Sequence, residues 1–227
     1  MRTSPAIKTP PRPIAAMTLV ELTVVIGIVG VLAALLLTSF ARAKSSAERT
    51  SCLNNQKQMI TAWSAFPVDN DDNLVANHRW QGRTEDDLPK PWVYGHGHPL
   101  AATMKNVDYL VDSSYAAFAQ YIPDPKVYKC PGNEIKVEGV EAIRSYAMNN
   151  YMGAYEPIGT DTNFYHFKTL ADVLTPDQRF VTADINRAFI CFTAMIVYMQ
   201  ADAWHHPPAF HHNGAGTFSF ADGHVES

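Results

Sequence analysis

The chain has 227 residues, which is enough for one or two domains. Apolar residues make up 47% of it, so it has the material for a hydrophobic core and is not a wholly disordered protein. The 18 basic and 22 acidic residues give a net charge of −4, which excludes nucleic-acid binding through bulk basic charge, and we expect no nucleic-acid partner. Three cysteines are too few for a disulfide-rich scaffold.

The first 16 residues are basic and rich in proline. They contain two arginines, one lysine and no acid, and their four prolines are incompatible with a regular helix. The next segment is different, because the 20 residues from Leu22 to Ala41 carry no charge. A helix of about 20 apolar residues crosses a hydrocarbon core of about 30 Å. Basic residues ahead of such a span favour a cytoplasmic N-terminus, with the C-terminal body on the other side.

A single acid, Glu21, stands at the start of this apolar run. A carboxylate close to lipid is costly unless it has a partner. A position near a helix N-terminus, where the helix dipole favours negative charge, is the simpler explanation for Glu21 taken alone. The residue type therefore leaves two roles open, one in helix capping and one in binding a positively charged partner.

The string AMTLVE (residues 16–21), with the apolar run behind it, resembles the processing site of type IV pilins and type II secretion pseudopilins. The resemblance implies that a prepilin peptidase removes a leader (1–16) after Ala16, which stands where the family usually has Gly. It also implies N-methylation of Met17, and pairing of Glu21 with the N-terminal amine of a neighbouring subunit. The implied partners are the peptidase and other pilin or pseudopilin subunits. The implied location is the bacterial inner membrane and, after assembly, a filament.

An ordinary secretory signal peptide is the main alternative. Ala41-Arg42-Ala43 gives an A-x-A-like cleavage site after the apolar run. The run is longer than the usual hydrophobic region of about 7–15 residues, and Glu21 fits poorly inside such a signal. We therefore prefer the pilin-like interpretation.

A helical pattern continues beyond the apolar run. One apolar stripe recurs at gaps of seven, four and three residues: Cys52, Met59, Trp63 and Phe66. Because no proline interrupts it, we predict one transmembrane and amphipathic helix over 17–66, followed by an extracytoplasmic globular domain over 67–227. The resemblance implies a pilin-like α+β fold in which this helix packs on an antiparallel β-sheet.

Two of the cysteines form the preferred candidate disulfide. Cys52 lies on the predicted helix and Cys130 in a predicted loop, and an exported domain permits a disulfide between them. In the chain-entropy model, closing a loop of this length contributes roughly 4 kcal/mol. The alternative is that both cysteines, together with Cys191, are buried free thiols.

The C-terminal region concentrates five histidines: His205, His206, His211, His212 and His224. Nine residues separate His212 from Asp222-Gly223, an H-x9-DG pattern found in some pseudopilin-like proteins. The turn dipeptides Asn213-Gly214 and Asp222-Gly223 predict a terminal hairpin that covers the core with Phe218 and Phe220.

The preferred role of His212 and Asp222 is hydrogen bonding that fixes this hairpin. The alternative is a divalent-metal site made by His212, Asp222 and His224, since imidazole and carboxylate suit transition metals. The region contains no H-E-x-x-H signature.

No phosphate-binding loop or nucleophile elbow is present in the sequence. We therefore predict a structural protein without a cofactor, and not an enzyme. The expected function is that of a subunit in a type IV pilus-like filament or a type II secretion pseudopilus. The alternatives are a membrane-tethered or secreted extracytoplasmic binding domain, and a metal-dependent hydrolase that uses the C-terminal histidines.

Overall fold

A computed structural model describes residues 17–77, 89–95, 103–153, 164–190, 192–198 and 203–227 of the protein. The predicted leader, Ala16 and Cys191 lie outside the described residues. The chain divides into two units, with the boundary between Ala43 and Lys44. The described residues have the expected α+β composition, with a long N-terminal helix and a five-stranded sheet.

The N-terminal helix, α1 (Leu19–Asp69), has 51 residues. Its sequence predicts an end at Phe66, before Pro67, whereas the structure has Pro67 inside the last turn. The proline removes only one backbone donor there. Its carbonyl accepts hydrogen bonds from the backbone N–H groups of Asn70, at 3.2 Å, and Asp72, at 2.9 Å, and these bonds close the helix end.

The other elements are short. The helical ones are α2 (Asp108–Val111) and the 3₁₀ turns Ala117–Gln120, Pro125–Tyr128 and Pro176–Gln178. The strands in the described residues are β1 (Lys136–Val137), β2 (Val140–Glu141), β3 (Tyr146–Asn149), β4 (Phe180–Asp184), β5 (Ala194–Met195), β6 (Val197–Tyr198), β7 (Ala203–Trp204), β8 (Phe218–Phe220) and β9 (Val225–Glu226).

The main sheet has the strand order β5-β3-β4-β8-β9. The sequence-based expectation of an antiparallel sheet is wrong for one pair, because β3 and β5 are parallel and the sheet is mixed. β4 runs antiparallel to β3. After β4 the chain reverses and forms β5 on the edge of β3 that faces away from β4, so β5 runs in the same direction as β3. The pairs β1–β2 and β6–β7 form separate two-stranded ribbons.

The apolar stripe of α1 packs on one face of this sheet. Cys52, Met59 and Trp63 have no exposed surface, and they share one core cluster with Tyr146 and Met148 of β3. The residue between these two, Ala147, belongs to a second cluster with Ala183, Ile185 and Met195. This alternation follows from the strand geometry, which points successive side chains to opposite faces.

The predicted terminal hairpin is confirmed, because β8 and β9 pair antiparallel. Its faces differ from the prediction only in part, because Phe218 packs on the second core cluster while Ser219 is buried on the side of α1. Ser219 is fully buried, while Phe218 and Phe220 are only half-buried. The Ser219 hydroxyl lies 2.6 Å from that of Thr182, which in turn donates to the Gln56 side chain of α1. The contact between α1 and this part of the sheet is therefore polar.

Candidate metal centre

The start of α1 contains the two residues to which the pilin resemblance assigns roles. Met17 immediately precedes the Thr18 cap, and Glu21 lies in the first helical turn. The Glu21 carboxylate accepts hydrogen bonds from the backbone N–H and the hydroxyl of Thr18, at 2.8 and 2.9 Å. In return, the Glu21 N–H donates to the Thr18 hydroxyl at 3.2 Å. This reciprocal pattern is a capping box, which satisfies two orphan donors of a helix start.

The helix after this cap is apolar on every side. All 14 large apolar side chains between Leu19 and Phe40 are at least 48% exposed. The hydroxyls of Thr23, Thr38 and Ser39 all donate to helix carbonyls, at 3.0–3.1 Å, so they need no water. The described residues contain one helix long and apolar enough to cross a membrane, and it is this one.

A different group of chemically active side chains lies in the globular unit. Cys52, Cys130, Asp184 and His212 are all buried, and each offers a ligand atom within 4.8 Å of the others. The structure thus brings together the two cysteines predicted to form a disulfide, but both are free thiols. Two thiols, a carboxylate and an imidazole are donors typical of a transition-metal site.

Cys130 is positioned by a tight turn after the 3₁₀ segment Pro125–Tyr128. The turn spans Cys130-Pro131-Gly132-Asn133 and is closed by the Asn133 N–H, which donates to the Cys130 carbonyl at 3.0 Å. The Cys130 N–H donates to the Ser145 hydroxyl at 2.8 Å, which ties the turn to the residue before β3. Pro131 suits the second position of such a turn because its φ is already fixed there.

Asp184 is the last residue of β4 and has no exposed surface. Its two carboxylate oxygens accept from the Asn133 side-chain amide and from Nε2 of His211, both at 3.0 Å. A fully buried carboxylate without such partners would be strongly unfavourable. The turn that holds Cys130 therefore also supplies a donor that holds Asp184.

His212 is positioned by the Asn213-Gly214 turn, with a β-bridge between His212 and Ala215. Asn213 and Gly214 both have positive φ values, 54° and 88°, as the dipeptide predicts. The His212 Nε2 atom lies 3.0 Å from the Cys130 sulfur. A Cβ atom on Gly132 would lie 3.1 Å from Cε1 of His212, so this glycine leaves the ring the room it needs.

The surroundings set the protonation of these groups. The Cys52 thiol, burial and the Asp184 carboxylate all raise the pKa of Cys130 well above its ordinary value, in that order. The Cys130 thiol is therefore protonated at neutral pH. Burial lowers the pKa of His212, against the effect of Asp184, and keeps the ring neutral. A neutral imidazole is the form that ligates metals.

The other predicted metal ligands lie elsewhere. Asp222 and His224 are not part of the buried group in the described residues. They form a local pair in the β8–β9 turn, where the Asp222 carboxylate lies 2.6 Å from Nδ1 of His224 and also accepts the backbone N–H of that residue at 3.0 Å. The His224 ring stacks on Phe220. The H-x9-DG pattern thus begins in the buried group and ends in a hairpin turn.

Sequence reasoning identified three of the four clustered residues, but as two unrelated features, a disulfide and a histidine cluster. It missed Asp184 and its supporting residue Asn133. The available signal was an aspartate at the end of the apolar strand FVTAD, a position where a buried carboxylate needs partners.

Comparisons of the chain with protein-family models, curated proteins and solved structures find no match. The pilin-like interpretation therefore depends on this chain's own residues.

Proposed function

We propose that the protein is a structural subunit of a type IV pilus-like filament or a type II secretion pseudopilus. In this proposal a prepilin peptidase cleaves after Ala16, and the first half of α1 anchors the subunit in the bacterial inner membrane. The N-terminus is cytoplasmic and the globular domain extracytoplasmic. The same half-helix, through Leu22–Leu37, then packs against other subunits in the filament core.

One observation carries the proposal: an uncharged helical segment that is apolar on all sides is headed by a single acid. The described part of the chain buries none of the most apolar stretch of this segment. A helix that is apolar all round is buried, either in a membrane or in a large apolar protein core, and the core of a filament made of packed helices is of the second kind. The side-chain hydroxyls in it bond to the helix itself, which suits both surroundings.

In this proposal Glu21 sets the register between the helices of neighbouring subunits. In an assembled bundle its carboxylate lies at the edge of an apolar core, where an unpaired charge is costly. The α-ammonium of Met17 on a neighbouring subunit supplies the opposite charge. In the single chain the same carboxylate is held by Thr18, so assembly would exchange two neutral hydrogen-bond donors for a cation.

The capping box and the assembly role can be separated by two substitutions. Glu21→Gln keeps a side chain that can complete a capping box but removes the charge. Thr18→Ala removes the cap hydroxyl and keeps the charge. Both variants should remain in membranes after alkaline extraction. Cross-linking between subunits, or recovery of sheared filaments, should be lost for Glu21→Gln and retained for Thr18→Ala.

Normal assembly of Glu21→Gln would contradict the proposal. So would equal losses in both variants, because Glu21 would then act only through its capping of the helix.

A further inference from the structure

We infer that Cys52, Cys130, Asp184 and His212 form a zinc-binding site inside the globular unit. The inference does not depend on the proposed filament function, because all four residues lie in the unit that begins at Lys44. Nor is it the metal site that the sequence suggested, which combined His212 with Asp222 and His224.

The donor atoms have the right kind and spacing. Zinc is bound in proteins by thiolate, imidazole and carboxylate groups, most often four in a tetrahedron. Its bond lengths place the ligand atoms of such a tetrahedron about 3.3–3.8 Å apart. The four donors here lie within 4.8 Å of one another, and Nε2 of His212 lies 3.0 Å from the Cys130 sulfur. No two of the four donor atoms therefore lie more than about 1.5 Å farther apart than in such a tetrahedron.

The mixture of sulfur, nitrogen and oxygen donors favours zinc over both softer and harder metal ions. Copper(I) selects thiolate and thioether ligands, and calcium and magnesium select oxygen ligands. Because the protein fills all four positions and buries them, the site has the closed form of a structural zinc centre and no open position for a substrate.

The ligands come from four different parts of the fold. Cys52 lies on α1, Cys130 in the turn before β1, Asp184 at the end of β4, and His212 in the turn before β8. A metal bound by all four residues would therefore link α1 to the central strand β4 and to the two turns that contain Cys130 and His212.

A shell of donors is present around the ligands. The Tyr146 hydroxyl donates to the Cys52 sulfur at 3.0 Å, and the Thr217 hydroxyl lies 3.0 Å from the same atom. Asn133 and His211 donate to the Asp184 carboxylate. Zinc binding would release the two thiol protons to solvent, and the resulting two thiolates, one carboxylate and zinc ion would sum to one negative charge, which these donors are placed to stabilise. Hydrogen bonds of this kind to metal ligands orient the ligands and tune the affinity for the metal.

The competing use of the two cysteines is the disulfide that the sequence predicts. A disulfide requires the sulfurs to approach to about 2.05 Å and leaves neither as a thiolate ligand. The two possibilities therefore exclude each other, and both can be measured on the same protein.

The test uses the full chain purified in detergent under reducing conditions, loaded with Zn²⁺ and dialysed. We expect one zinc ion per chain by elemental analysis in the wild type, and a rise in melting temperature on loading. Cys130→Ser and His212→Gln should lose the bound zinc. The matched control His224→Gln should keep it, because that histidine is paired with Asp222 in the terminal turn. His211→Ala should weaken zinc binding roughly 10–100-fold, because it removes the hydrogen-bond donor that holds the Asp184 carboxylate.

Co²⁺ loading of the wild type provides a measurement that does not depend on variants that fold. The inference predicts a thiolate-to-cobalt charge-transfer band. Absence of that band in the reduced chain would overturn the inference, as would wild-type zinc content in both Cys130→Ser and His212→Gln. A Cys52–Cys130 disulfide in the protein isolated from its host membranes would also overturn it.

Discussion

The first half of α1 exposes every large apolar side chain between Leu19 and Phe40, whereas Cys52, Met59 and Trp63 in the second half are completely buried. The two halves differ in how apolar residues are arranged around the helix. In the first half they occupy all sides, so packing against one surface cannot cover them. In the second half they form one stripe, and the sheet of the same chain covers it. The arrangement thus separates a half whose apolar side chains the described residues leave exposed from a half whose apolar stripe they cover.

The largest expected effect on stability lies in the buried half. Trp63→Ala should lower the free energy of unfolding by about 3–5 kcal/mol, because it leaves a large cavity in the core. The matched change in the exposed half, Leu36→Ala, should stay within about 0.5 kcal/mol, since Leu36 is 69% exposed. Denaturant unfolding of both variants in detergent measures the difference. Similar losses of unfolding free energy in the two variants would contradict the difference in burial between the two halves of α1.

An added charge should be harmful in the first half of α1 and tolerated on the exposed side of the second half. Leu32→Lys should reduce membrane insertion by about 2.5–3.5 kcal/mol, the usual cost of a lysine at the centre of a span. Thr61→Lys, on the exposed side of the second half, should have no such effect. Alkaline extraction of membranes compares the two variants. If Leu32→Lys stays in the membrane fraction as fully as Thr61→Lys, the first half does not span the bilayer.

The polar contact between α1 and the sheet predicts a smaller effect. Gln56 donates to the Thr217 carbonyl at 3.2 Å and accepts from Thr182, and it has no exposed surface. Gln56→Met should lower the unfolding free energy by about 1–3 kcal/mol, because it leaves buried polar groups unpaired. Gln58→Met, at an exposed position, is the control. Equal stability of the two variants in urea would show that this contact contributes nothing.

The smallest effect concerns the helix start. Thr18→Ala should destabilise the first turn of α1 by about 1 kcal/mol through loss of the cap. Amide hydrogen exchange at Glu21, whose N–H donates to the Thr18 hydroxyl, should become faster. Thr23→Ala should leave this exchange unchanged, since the Thr23 hydroxyl bonds only to the Val20 carbonyl in the described structure. An unchanged rate in Thr18→Ala would argue against the capping box.

Much of the helix could be predicted from the sequence, because its evidence is local. The apolar stripe of Cys52, Met59 and Trp63 repeats at helical spacing, and the structure buries it as expected. The terminal hairpin was equally local, since the Asp222-Gly223 turn dipeptide and the strand before it are adjacent in the chain.

The faces of the sheet could not be predicted in the same way. The register of β4 against β8 shifts between Phe180 and Thr182, and the shift depends on a pairing between distant segments. As a result Ser219 faces α1, while Phe218 packs on the other side of the sheet with Ala183. The buried group of Cys52, Cys130, Asp184 and His212 has the same origin, because four distant segments meet only in the folded chain.

We propose that the first half of α1 belongs to a processed filament subunit. Mass spectrometry of the N-terminal peptide of the mature protein, isolated from membranes of its native host, tests this proposal. We predict a peptide that begins at Met17 with a methylated α-amine. A chain that begins at Lys44, or one that retains residues 1–16, would contradict the proposal.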